Sequence, residues 1–193
     1  ELMSSTPLTL AETASVFSEM LTFNAILNAE KSEQTKRFML ADKIEDMLNT
    51  VVRQVAFHNF ENLVHTHRRD GELSSEQISQ FWVETQKQAL GPSIRIDDSF
   101  KPIWAYVPHF VHSPFYVYAY AFGDCLVNAL WQVYQDGSDP EFNTHYKTLL
   151  RSGGTVRFNS ALAPFSLNPS APEFWNKGLD MISSMIDQVE DLQ

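Results

Sequence analysis

"PLTLAETASVFSEML", residues 7–21, is the stretch that decides the class of this chain. Thr6 and Pro7 read as a cap followed by a first-turn proline, and the apolar pattern then keeps a helical period to about Asn28. Within that pattern Glu12 and Glu19 stand one heptad apart on one face, with Ser15 between them. Leu8, Leu10, Ala11, Ala14, Val16 and Phe17 surround Glu12, and no Lys or Arg falls within two turns of it. A carboxylate buried in such company without a partner is costly, so a buried Glu12 would demand a cation, which a metal ion could supply.

The same period recurs outward through almost every long segment. A second helix is expected over 32–69, with Phe38, Ile44, Met47, Val51, Val55 and Phe60 among its apolar positions and "DG" at 70–71 as its stop. "SSEQ" at 74–77 is a capping signature for a third helix, which ends before Gly91-Pro92. "SIRIDD" at 93–98 is the one short alternating piece, consistent with an extended segment. Further helices are expected from Ser113-Pro114 to about Gln135, from Pro140 to Arg151 before Gly153-Gly154, and from "SAPEFW" to the end of the chain. The fold class is all-α, without internal repeats.

Composition narrows the function. The 193 residues carry 24 acidic and 14 basic side chains, a net charge of −10, which argues against a nucleic-acid partner because phosphate binding needs clustered Lys and Arg. The short basic run His67-Arg68-Arg69 closes a helix, where cations complement the dipole. No apolar run approaches the roughly 18 residues of a membrane span, so no membrane partner is expected. The single cysteine, Cys125, cannot form an internal disulfide and reads as a small buried hydrophobe; it points to a reducing, cytoplasmic setting.

Two further stretches carry candidate chemistry. In "WAYVPHFVHSPFYVYAYAFGD", residues 104–124, His109 and His112 are expected in a loop just before a helix that begins at Ser113-Pro114. Tyr116 and Tyr120 would share one face of that helix, with Tyr118 pointing away. Loop imidazoles beside phenols form a donor-rich surface suited to an anion developing on a carbonyl oxygen. "HNFENLVHTH", 58–67, does not have HExxH spacing, although His58, Glu61 and His65 could share a helical face in a geometry open to a metal.

"LAETASVFSEM" resembles the segment that follows the HExxH helix in oligoendopeptidase F, of the thimet-type zinc oligopeptidases, and the resemblance runs through nearly the whole chain. It implies that Glu12 is the third zinc ligand, in an E-x-x-S-x-x-x-E pattern, and that Glu19 lies in the outer shell orienting a histidine ligand. The His/Tyr stretch resembles the family's other signature. That implies His109 as a substrate or transition-state ligand and Tyr116 or Tyr120 as phenolic donor, with His112 and Tyr118 as further substrate contacts. The family often has Tyr where this chain has His112, which leaves open which side chain takes the donor position. An F-x-x-F-E stretch like the one around Glu61 is structural in the family, and "PEFWNKGLDMISSMID" resembles its final packing helix.

HExxH itself, which in that family supplies two His ligands and the general base, occurs nowhere in these 193 residues. The expectation is therefore a C-terminal helical portion of a peptidase catalytic domain, with the motif just upstream of residue 1. Its parts are a third-ligand helix at 7–28, a long helix at 32–69, a His/Tyr segment at 104–135 and a final helix at 171–192. The implied activity is zinc-dependent hydrolysis of short peptides. The implied partners are those peptides and the N-terminal remainder of the same polypeptide, and the isolated portion is expected to be inactive. The competing expectation is a non-catalytic helical interaction or dimerisation module, in which Glu12, His109 and Tyr120 would be scattered.

Overall fold

The computed structural model describes Leu10 and residues 12–192. Among them every regular element is helical. In chain order these are α1 (Thr13–Ala29), α2 (Glu33–Thr50), α3 (Val52–His67), α4 (Ser75–Leu90), α5 (His109–His112), α6 (Tyr118–Asp136), α7 (Phe142–Ser152), α8 (Phe158–Leu162) and α9 (Pro172–Asp191). Short 3-10 helices cover Arg68–Asp70, Asp98–Tyr106 and Ala163–Phe165. The all-α class is as expected. The Thr6-Pro7 cap lies outside the described residues.

Several boundaries differ from those expected, each for a local reason. The single helix anticipated over 32–69 is interrupted at Val51, where Thr50, Val51 and Val52 place three β-branched residues in a row. "SIRIDD" is not a strand; Asp97 caps the 3-10 helix that follows, its carboxylate accepting from Ser99 N–H at 3.0 Å. The helix expected to open at Ser113-Pro114 begins at Tyr118, because Phe115 adopts φ 61° and takes the chain out of the right-handed helical region. His109 and His112 accordingly sit at the two ends of α5, not in a loop. The capping signature at 74–77 is formed as read: Ser74 Oγ accepts from Gln77 N–H at 3.2 Å, and Gln77 Oε1 accepts from Ser74 N–H at 2.9 Å.

The chain divides into two compact units, one made of the residues up to Met47 and from Phe122 onward, the other of Leu48–Ala121. In the first, α1 buries one face through Phe17, Met20 and Leu27. Phe17 meets the rings of Tyr146 at 4.6 Å, Phe142 at 5.7 Å and Trp131 at 5.9 Å, so α1, α6 and α7 share one aromatic core. The same unit buries polar groups. Lys43, only 8% exposed, donates to Glu19 Oε1, and buried Asp124 accepts from Asn128 Nδ2 at 2.9 Å, one helical turn on. Burial pushes the Asp124 carboxyl up to about 6 against the opposing pull of Lys43.

In the second unit, Phe57 and Phe60 of α3, Trp82 of α4 and Val117 form the core, with Trp104 and Phe110 packed against it. Buried Trp82 and half-buried Trp104 both find acceptors: Trp82 Nε1 donates to Phe100 O at 3.1 Å and Trp104 Nε1 to Ser79 Oγ at 3.1 Å. The 3-10 helix Asp98–Tyr106 is thereby tied to α4.

Helix α9 approaches α6 closely because residue 178 has no side chain. A Cβ there would lie 3.0 Å from Cys125 Cα, 3.1 Å from its Cβ and 3.2 Å from its carbonyl oxygen. Backbone cannot yield as a side-chain tip can, so Gly178→Ala is expected to destabilise the fold by about 1–3 kcal/mol, read as a lower urea midpoint at unchanged slope. Asp124 gives a pH-dependent counterpart. Its folded pKa of about 6 exceeds that of an ordinary carboxyl, so the native state holds the proton more tightly and loses stability as pH rises from 4 through 6. Asp124→Asn should therefore gain on the parent by about 2 kcal/mol between pH 4 and pH 7 in urea unfolding.

Candidate functional site

The sequence-predicted His/Tyr residues lie in the second unit, and three of them converge. His109 at the start of α5, Tyr116 in the turn after it and Tyr120 in the first turn of α6 are each half-buried. His109 Nε2 and Tyr120 Oη are 3.2 Å apart; whether the phenol or the imidazole donates depends on the ring's tautomer. The Tyr116 ring stacks on His109 at 5.6 Å and meets Tyr120 edge-on at 5.3 Å. His109 and Tyr120 are themselves nearly perpendicular, at 5.7 Å and 86°.

Local geometry explains the convergence. Ser113 N–H donates to His109 O at 3.0 Å and Tyr116 N–H to Ser113 O at 3.2 Å, so α5 runs through a tight turn into the start of α6. Tyr116 is thus not in a helix with Tyr120, and it is the reversal after Ser113 that brings the two rings together. The other two expected contacts lie elsewhere. Tyr118 is 39% exposed with its ring 5.8 Å from that of His58, and His112 is exposed and outside the ring cluster.

Glu12 and Glu19 belong to the first unit. Glu12 stands at the N-cap position of α1 and is exposed, so the desolvation cost that would demand a cation does not arise in this chain. Its Oε2 accepts from the Ser15 hydroxyl at 3.1 Å, and among the described residues it forms no ion pair. Glu19 is occupied with Lys43. An exposed carboxylate held by one hydroxyl fits a single zinc ligand. A full set is another matter: among the described residues no three His, Cys, Asp or Glu come together to hold a metal ion.

The HNFENLVHTH stretch resolves differently from its metal reading. Glu61 is 1% exposed, and its Oε1 accepts from the Phe115 N–H at 2.8 Å. His65 lies ring to ring with Phe115 at 4.7 Å. That arrangement escaped the sequence, as did buried Asp124; the only hint of the latter was the four-residue spacing of Asp124 and Asn128 on one helical face.

Comparison with known proteins agrees with the fold class and with the family resemblance. The model of a family described as "Peptidase family M3" matches residues 2–181. The chain is 29% identical over 185 residues to Oligopeptidase PepF of Bacillus subtilis (strain 168), covering 95% of this chain and 27% of that protein. It is 25% identical over 187 residues to the chromosomal Oligoendopeptidase F of Lactococcus lactis subsp. cremoris, covering 96% of this chain and 31% of the relative. A crystal structure of a candidate peptidase from Chlamydophila abortus superposes with a TM-score of 0.88 at 28% identity, over 99% of this chain and 32% of that one. Oligoendopeptidase-F from Enterococcus faecium shares the fold, with a TM-score of 0.85 at 24% identity over 95% of this chain and 35% of its own. The chain thus spans about a third or less of the length of these proteins. With the family model matching almost from end to end, the chain belongs to peptidase family M3.

Proposed function

We propose that this chain forms the C-terminal helical portion of the catalytic domain of a zinc-dependent oligoendopeptidase that hydrolyses short peptides, and that it is inactive alone. The observation that carries this reading is the His109–Tyr120 pair, 3.2 Å apart with Tyr116 packed against both, in a chain of the M3 family. The rival interaction-module reading expected Glu12, His109 and Tyr120 to be scattered, and the meeting of His109 with Tyr120 supports the enzyme reading for that pair.

In the proposed enzyme Glu12 supplies one zinc ligand, with the remaining ligands and the general base coming from the N-terminal remainder of the polypeptide. Zinc, when bound, supplies Lewis acidity toward the scissile carbonyl and its attacking water. The role of the His/Tyr cluster is to donate. In the pair one group donates to the other. The hydrogen left over, the phenol O–H when the imidazole donates or the second ring N–H when the phenol does, is presented to the oxygen that becomes negative as the carbonyl carbon turns tetrahedral. Tyr116 stacked on His109 limits how far the imidazole can tilt, so the donor is aimed before charge appears. Donors that are already oriented need no reorganisation as the barrier is crossed, which is why each is typically worth about 3 kcal/mol. His112 and Tyr118 are the further contacts to flanking parts of a peptide in this reading, which their exposure supports.

In the polypeptide that carries this chain with its N-terminal remainder, Tyr120→Phe should lower kcat by about 100-fold with little change in KM, the mark of an interaction made only in the transition state. A fall confined to KM would reassign Tyr120 to substrate binding. Glu12→Gln should abolish both stoichiometric zinc and cleavage of a quenched peptide, as should expressing residues 1–193 alone. Zinc retained at one per chain by the Gln variant would remove Glu12 from the ligand set.

A further inference from the structure

Three residues of α3 that share one face, His58, Glu61 and His65, all meet the turn that joins the two ring-bearing helices. His58 lies edge-on to Tyr118 with ring centres 5.8 Å apart, His65 is 4.7 Å from the Phe115 ring, and Glu61 reaches the Phe115 amide. We propose that Glu61 is the positioning residue of the His109–Tyr116–Tyr120 cluster: its Oε1, by holding the Phe115 N–H, fixes the left-handed turn that sets these rings against one another. This inference rests on the proposed function for its kinetic consequence, and on geometry alone for the turn.

The turn needs something to hold it. Phe115 has φ 61°, a region in which a side chain crowds the carbonyl oxygen and which is unfavourable for any residue but glycine. Pro114 just before it has no N–H, so the Phe115 amide is the donor available at the point where the chain reverses. A carboxylate oxygen 2.8 Å away on a residue 54 positions earlier meets that donor, from a side chain only 1% exposed. Glu61 Oε2 is buried and takes no donor among the described residues, so the directed contact this side chain makes is the one to the turn. A surface acid placed for solubility would not be buried, and an acid placed for a metal would have other ligands beside it. Were the Phe115 N–H released, the residue could relax to negative φ. The direction of the chain between Ser113 and Tyr118 would then change, carrying Tyr116 and Tyr120 away from His109.

The test uses the polypeptide that contains this chain with its N-terminal remainder, in two variants. Glu61→Met keeps the length and removes the acceptor; Glu61→Gln keeps an acceptor oxygen. Two quantities are read: kcat and KM on a quenched peptide, and amide hydrogen exchange of peptides covering residues 113–121. The Met variant is expected to lose about 10- to 100-fold in kcat with KM within about threefold, since a displacement of about 1 Å suffices for such a loss. Exchange at 113–121 should be about tenfold faster in that variant. The Gln variant should keep kcat within about threefold and parental exchange in that segment, even if its unpaired amide lowers the global melting temperature. Parental kcat and exchange in Glu61→Met would overturn the proposal, as would a Gln variant that behaves like the Met variant. Should Glu61→Met fail to fold, the Gln variant decides by the same two readings. A parent without peptidase activity would defeat the proposed function, and the exchange comparison would still judge the turn.

Discussion

A carboxylate buried in the middle of a helix and a backbone amide held at positive φ are each unfavourable alone. In the Leu48–Ala121 unit they are joined: Glu61 of α3 takes the Phe115 N–H, and the turn between α5 and α6 rests on that bond. The aromatic core beneath it, Phe57, Phe60, Trp82 and Phe110, fixes the helix that carries Glu61. The contact thus ties a packed scaffold to a strained turn. Strain stored at one residue is tolerable when the surroundings over-determine it, and such residues tend to cluster where side chains must be aimed.

The unit containing α1 and α6 solves a different problem. It buries polar groups, with Lys43 reaching the exposed Glu19 and Asp124 held by Asn128. Such groups add little net stability when paired and cost a good deal when a partner is lost, so they favour one packing arrangement over close alternatives more than they strengthen it. The aromatic cluster around Phe17 supplies the non-directional part of the same unit, and burial there extends to the Tyr146 phenol, which is pushed up to about 12.

Much of this was legible in the sequence where the information is local. Helical period identified the class. The Ser74–Gln77 box, the stop at Gly153 and the start of the last helix beside Pro172 were all read from residues a few positions apart. The grouping of His109 with the tyrosines was also legible, although through the wrong local structure: Tyr116 and Tyr120 were expected on one helical face, and a turn brings them together instead. What escaped was non-local. Nothing near Phe115 announces a left-handed conformation, because the group that meets its amide lies 54 residues away in the sequence. The exposure of Glu12 escaped for a related reason, since apolar neighbours in sequence do not say on which side of a helix start a carboxylate will emerge. The break at Val51 is the exception, since the β-branched run Thr50-Val51-Val52 that accompanies it is local.

The close seating of α9 on α6 has a chemical consequence. With Gly178 pressed onto its backbone, the single thiol at position 125 is shut away from solvent, and burial together with the neighbouring Asp124 pushes it up to about 12. At neutral pH almost none of it is thiolate, the form that alkylating reagents and peroxide attack. The native chain is in effect silent toward sulfhydryl chemistry, and a cysteine engineered onto an exposed helix face would be the one that takes a fluorophore or spin label.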